Sequence, residues 1–247
     1  WRIPGFRGTC SGFRCAVDAP SGLPAPEGLP DEAAWANAID LLKLVDPQKD
    51  VVAGKWTFKD GGLCSDETQG ARIEMPYRPT DEYDFRVTFS RLSGNDSVIQ
   101  FLSQYKASFL WVMGGWGNTI FGFQTVGRMG KLDNPSTVKA PRCLENGQKY
   151  VCVVQVRRSE VKAFLNGQLI SSWKPELDKS GPDARFQLRD HSLLGLGSHY
   201  SSTQFYKAEV LEVTGKGTFT RGGPQSAPSH PWRAIFDGKT LNCLLEQ

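Results

Sequence analysis

Two apolar runs, Val161 to Leu165 and Gln168 to Trp173, are separated by nothing except Asn166-Gly167. A gap that short permits only a tight hairpin, because Asn and Gly accept the left-handed backbone of a type I′ turn, which matches the twist of the flanking strands. The same period of two runs through Tyr83, Phe85, Val87 and Phe89, which alternate with Asp84, Arg86, Thr88 and Ser90. Such a strand puts one face on a core and the other in polar surroundings. Ser97 to Tyr105, Thr119 to Val126, Lys149 to Arg157, Leu193 to Gly197 and Gln204 to Val213 are further strand candidates, and Phe109 to Met113 is apolar on both parities, as a central strand is. Roughly nine to twelve strands follow. Helix is confined to Asp31 to Leu44, with Asp31 as N-cap and a stop before Asp46-Pro47.

Strands in this number require two packed sheets, since a single open sheet would leave an apolar face in water. The expected fold class is all-β, a jelly-roll β-sandwich of two antiparallel sheets with little helix. An immunoglobulin module is smaller and carries a Cys…Trp…Cys spacing that this chain does not display. The sandwich is expected over 37–220. Before it, 19–36 holds four prolines between Ala19 and Pro30 and reads as a linker following a tail, 1–18, of some preceding domain. After it, 221–247 opens with Gly222-Gly223-Pro224 and reads as a second linker and the start of another unit.

Charge narrows the partners. Lys plus Arg number 29 and Asp plus Glu 26, a net charge of +3, with no basic run. Nucleic acid is therefore not an expected partner, and no apolar stretch is long enough to predict membrane insertion by this chain. The six cysteines match no zinc spacing, so no metal centre is expected; Cys143 and Cys152 flank a turn at Asn146-Gly147, close enough for a bridge, with free thiols the alternative. No cofactor is expected. Calcium, which needs converging carboxylates and carbonyls, has only Asn95-Asp96 and Asp133-Asn134 as candidates.

Several segments carry a resemblance. Glu145-Asn-Gly-Gln-Lys-Tyr-Val-Cys-Val-Val-Gln-Val156 followed by Val161-Lys-Ala-Phe-Leu-Asn-Gly-Gln-Leu-Ile170 resembles the strand and hairpin of laminin-G-like and concanavalin-A-like sandwiches. Trp56-Thr-Phe-Lys-Asp-Gly-Gly-Leu63, Glu82-Tyr-Asp-Phe-Arg-Val-Thr-Phe89 and Leu194-Gly-Leu-Gly-Ser-His199 are similar to bacterial 3-keto-disaccharide hydrolase-like domains. Asp40-Leu-Leu-Lys-Leu-Val-Asp-Pro47 and Trp111-Val-Met-Gly-Gly-Trp-Gly-Asn118 resemble the planctomycete-type variant found in multidomain chains. Gly12-Phe-Arg-Cys-Ala-Val-Asp18 is similar to the end of a formylglycine-generating-enzyme-like domain, and Phe236-Asp-Gly-Lys-Thr-Leu241 to the opening of a hydrolase-like unit. The resemblance implies a concanavalin-A-like jelly roll acting on or binding carbohydrate in an exported or cell-envelope protein.

The residues favour binding over catalysis. A retaining or inverting glycosidase needs two carboxyl groups about 5 to 9.5 Å apart, one of raised pKa. The Glu-x-Asp-x-x-Glu arrangement that supplies them on one strand is missing, so no catalytic residue is assigned. Sugar binding needs exposed aromatics beside planar polar side chains. Gln100, Gln104 and Gln124 are expected to project from the outer face of one sheet, with Ile99 and Phe101 turned inward. Arg72 and Glu74 would line the same trough, Trp111 and Tyr105 would add aromatic surface, and Trp116 would wall one end. The expected function is a non-catalytic carbohydrate-binding or interaction module; a glycoside hydrolase and a structural spacer are the alternatives.

Overall fold

The structure, a computed structural model, describes residues 28–124, 134–174 and 184–222. In chain order the strands among them are β1 (Ile39–Asp40), β2 (Val51–Ala53), β3 (Trp56–Lys59), β4 (Gly62–Ser65), β5 (Ala71–Glu74), β6 (Tyr77–Arg78), β7 (Tyr83–Gly94), β8 (Val98–Gln104) and β9 (Ala107–Gly114). Then come β10 (Ile120–Gln124), β11 (Val138–Lys139), β12 (Lys149–Val156), β13 (Val161–Leu165), β14 (Gln168–Trp173), β15 (Gly195–Ser198), β16 (Ser201–Glu212) and β17 (Thr218–Phe219). One sheet runs β14-β13-β12-β7-β16-β4-β3, with β1 also on β16; the other runs β11-β10-β9-β8-β15-β5-β2. Every ladder in both is antiparallel. The chain crosses from β4 to β5, back to β7, across for β8 to β11, back for β12 to β14, and across and back again for β15 and β16. This is the expected all-β jelly-roll sandwich.

The Asn166-Gly167 hairpin forms as its composition requires, both residues holding positive φ between β13 and β14. Phe85, Val87 and Phe89 turn inward from the first sheet and meet Val98, Leu102, Phe109, Trp111 and Phe123 from the second. Trp173 of β14 closes the gap between the sheets, its ring 5.8 Å from both Phe109 and Phe123.

The helix expected from Asp31 to Leu44 is broken. Asp31 does cap a helix, accepting from the Ala34 N–H at 2.8 Å, but α1 ends after Glu32–Trp35. Ile39 and Asp40 instead pair with Val210 and Glu209 of β16, and Leu41, fully buried, anchors the chain in the core. An apolar segment that can extend a sheet over a core gains more than the marginal stability of a short isolated helix. The described end of the expected linker, 28–36, is packed against the first sheet: Trp35 is buried with Val153 and Phe164. The Arg86 guanidinium sits 4.2 Å from the Trp35 ring and pairs with Glu32 and Glu209 at 2.7 and 2.8 Å. The segments 1–18 and 223–247, with Cys10, Cys15 and Cys243, lie outside the described residues.

Cys64, Cys143 and Cys152 are free thiols, so the bridge between Cys143 and Cys152 is not formed. Burial pushes the Cys143 thiol up to about 11, Arg91 opposing the shift. That leaves a protonated, poorly nucleophilic group at neutral pH.

A candidate binding cleft at the end of the sandwich

The expected trough does not form, and β8 explains why. Gln100 lies opposite Trp111 and Leu196, and Val98 and Leu102 of the same parity fill the central core, so Gln100 and Gln104 face between the sheets. Gln100 and Trp111 are both 0% exposed; Gln100 donates through Nε2 to the Phe85 carbonyl of the opposite sheet at 3.2 Å. Ile99 and Phe101 take the outer face, contrary to expectation, because that face has its own apolar cover: Phe186, Leu188 and Leu193 lie over Ile99, Phe101, Leu110 and Val112. With apolar partners on both sides, the alternation in β8 carries no information about which side is inner. Gln124 pairs in register with Leu110 and therefore belongs to the outer face, away from the other two glutamines.

Arg72 and Glu74 do share that outer face, but they hold the cover down. Arg72 donates to the carbonyls of Gln187 at 2.6 Å and Gly70 at 2.9 Å. Glu74, buried, accepts from Arg189 Nε at 2.9 Å and from the Asp190 N–H at 2.8 Å. His199 adds a third fastening: its Nδ1 accepts from the Gly70 N–H at 3.1 Å and its ring lies 5.2 Å from Phe186. Burial holds its pKa below the ordinary 6.5, against Asp96 and with help from Arg185. The folded chain therefore binds this proton less readily than the unfolded chain, so the stability carried by neutral His199 is complete above about pH 6.5 and declines as the pH falls toward the lowered folded value. The melting temperature is expected to drop on acidification from pH 7.5 to 5.5 by more in the wild type than in His199→Gln; equal drops would refute the assignment.

Segments thus lie against both outer faces, and a cleft opens at one end. It is a cleft of about 1080 Å³ between the β6–β7 connection, the β8–β9 turn and the segment 189–192. The turn places Tyr105 and Lys106 at φ 50° and 65°, left-handed values usually given to Gly or Asn. Strain of this kind, worth about 1–3 kcal/mol per residue, persists only where the surroundings impose it; here β8 is buried along its whole length. Tyr105 is consequently held out at the cleft, 54% exposed. Below it Gln104, 1% exposed, donates through Nε2 to the carbonyls of Asp81 and Arg157, both at 3.0 Å.

The opposite wall is built from ion pairs. Arg78 reaches Asp190 at 2.7 Å and the Ser192 hydroxyl at 2.8 Å, while Asp190 also accepts from the Ser192 N–H and hydroxyl. Burial alone would raise the Asp190 carboxyl, but the Ser192 and Arg78 donors outweigh it and hold it below the usual carboxylate range. Asp81 stands 3.6 Å from Arg158.

Of the residues expected to bind, Gln104 and Tyr105 line this cleft. Trp116 is accessible as expected, 56% exposed with φ 51°, but it belongs to the turn 114–118, beyond the opposite end of β9 from Tyr105. The sequence signal for the cleft was the two-residue gap Tyr105-Lys106 between the apolar runs of β8 and β9. Among the described residues no cluster of three or more His, Cys, Asp or Glu is placed to hold a metal ion. The candidate Asp96 spends Oδ1 on the N–H and hydroxyl of Ser97, and Asp133 lies outside the described residues. No helix among them is long and apolar enough to cross a membrane.

No protein-family model matches the chain, and no curated protein matches it. Among solved structures, it is similar to the carbohydrate-binding module CBM66 from Bacillus subtilis, with 12% identity, 66% of this chain and 94% of that chain covered, and a TM-score of 0.47. It is also similar to the Crh5 transglycosylase, with 15% identity, 72% and 84% covered, and a TM-score of 0.49. The Ca2+-bound exoplasmic domain of VIP36 has 7% identity, 72% and 90% covered, and a TM-score of 0.48. At this distance the class, an antiparallel two-sheet sandwich, rests on the sheets themselves.

Proposed function

We propose that this chain is a non-catalytic carbohydrate-binding module whose ligand enters the end cleft against Tyr105. The observation that carries the reading is an exposed aromatic held in a strained turn of a buried hairpin, facing a wall of fixed hydrogen-bonding groups. Sugars present flat C–H faces and edge hydroxyls, which such a surface meets without reorganising. At about 1080 Å³ the cleft lies at the upper end of small-molecule sites, which run to roughly 1,000 Å³. The lowered pKa of Asp190 does not suit the general-acid role in hydrolysis, which needs a raised one.

A glycan array followed by calorimetry tests this. Tyr105→Ala is expected to weaken binding at least about tenfold with little change in melting temperature, the loss of one aromatic platform. Failure of the wild type to bind any glycan would leave the spacer reading. Turnover of a disaccharide or glucan, abolished by Asp81→Asn or Asp190→Asn, would establish a glycoside hydrolase instead.

A further inference from the structure

The charges around the cleft cancel in pairs, with one exception. Arg78 is matched by Asp190, Arg189 by Glu74 at 2.8 Å, and Asp81 by Arg158. Lys106 lines the cleft beside Tyr105 and has no carboxylate partner among the described residues. A second, independent observation concerns Gln104. Both contacts of its Nε2 are spent on main-chain carbonyls, which sets the orientation of the amide and leaves Oε1 buried without a donor among the described residues. A buried acceptor without a donor is costly, and a hydroxyl of a ligand, or a water carried in with it, offsets that cost.

Resting on the reading of the cleft as a saccharide site, we infer that its ligand is an anionic saccharide, with a ring on Tyr105, a hydroxyl toward Gln104 and a carboxylate or sulfate at Lys106. A neutral sugar would leave the Lys106 ammonium facing the bound ligand uncompensated. An acidic group there completes the pairing already made everywhere else in the wall. The contact is partly exposed, so it is selective chiefly at low ionic strength.

The test uses the whole chain and matched neutral, uronate and sulfated oligosaccharides of the gluco, galacto and manno series, titrated calorimetrically in 20 mM and 500 mM salt. At low salt at least one acidic form should bind about fivefold tighter than its neutral counterpart, the ratio falling toward one at high salt and in Lys106→Gln. Whether the uronate or the sulfate gains more names the source of the charge. Equal binding of neutral and acidic forms would overturn the inference and leave the saccharide reading standing. Binding of none, with the melting temperature of the chain intact, would overturn both. A preference that survives in Lys106→Gln would assign the charge recognition elsewhere and overturn the role of Lys106.

Discussion

Trp111→Ala is expected to lower the unfolding free energy by about 3–5 kcal/mol, the range for removing a fully buried aromatic. Trp111 stands at the centre of β9, 4.7 Å from Phe123 and 6.2 Å from Phe121 by ring centroid, with no solvent exposure. The cavity left behind cannot collapse easily, because Phe123 is itself held by Phe109 and Trp173 of the facing sheet. Denaturant unfolding followed by far-ultraviolet circular dichroism gives the value directly. If Trp111 instead served a ligand, the substitution would change affinity and leave the unfolding free energy within about 0.5 kcal/mol of wild type, and that outcome would reverse its assignment to the core.

Arg91→Met should destabilise by about 3 kcal/mol or more, although it replaces a charge by an apolar side chain of similar length. The buried guanidinium donates to Asn146 Oδ1 at 2.6 Å, to the Leu144 carbonyl at 2.9 Å, to the Asp96 carbonyl at 3.0 Å and to Asn118 Oδ1 at 3.2 Å. Burial lowers its pKa, with Tyr150 foremost among the groups that oppose the shift. Methionine fills the volume but removes all four donations, so that the Leu144 carbonyl and Asn118 Oδ1 keep only the bonds they make with each other's residue. Asn118 in turn accepts from the Leu144 N–H and donates to its carbonyl, and the Asn118 carbonyl accepts from the Cys143 N–H, so the turn that carries Trp116 is tied to the strand connection at 142–147 at Asn118. Arg91→Lys should fall nearly as far, since an ammonium cannot span four acceptors in a planar fork. Unfolding free energies within about 0.5 kcal/mol of wild type in both variants would sink the account.

The segment over the second sheet shows why the binding surface could not be placed by periodicity. Leu188 and Leu193 are ordinary loop hydrophobics in the sequence, more than eighty positions beyond Ile99 and Phe101, which they cover. No local pattern announces that pairing. Arg72 and Glu74 share one face, as their spacing requires, but their partners, the Gln187 carbonyl, Arg189 and the Asp190 amide, come from the same distant segment. What looks like a polar lining along β5 is therefore the anchorage of a lid.

Local chemistry by itself determined the longer strands from Tyr83 onward, the Asn166-Gly167 hairpin, the cap at Asp31 and the two-sheet architecture, because turn conformations and the alternation of side chains are properties of neighbouring residues. Tertiary structure alone decided which face of β8 is inner, that Ile39 and Asp40 leave the helix for a strand, and that a cleft opens at the end beside Tyr105. Those outcomes depend on which apolar surface finds a partner far along the chain, and burial depends on the area covered, whichever segment covers it.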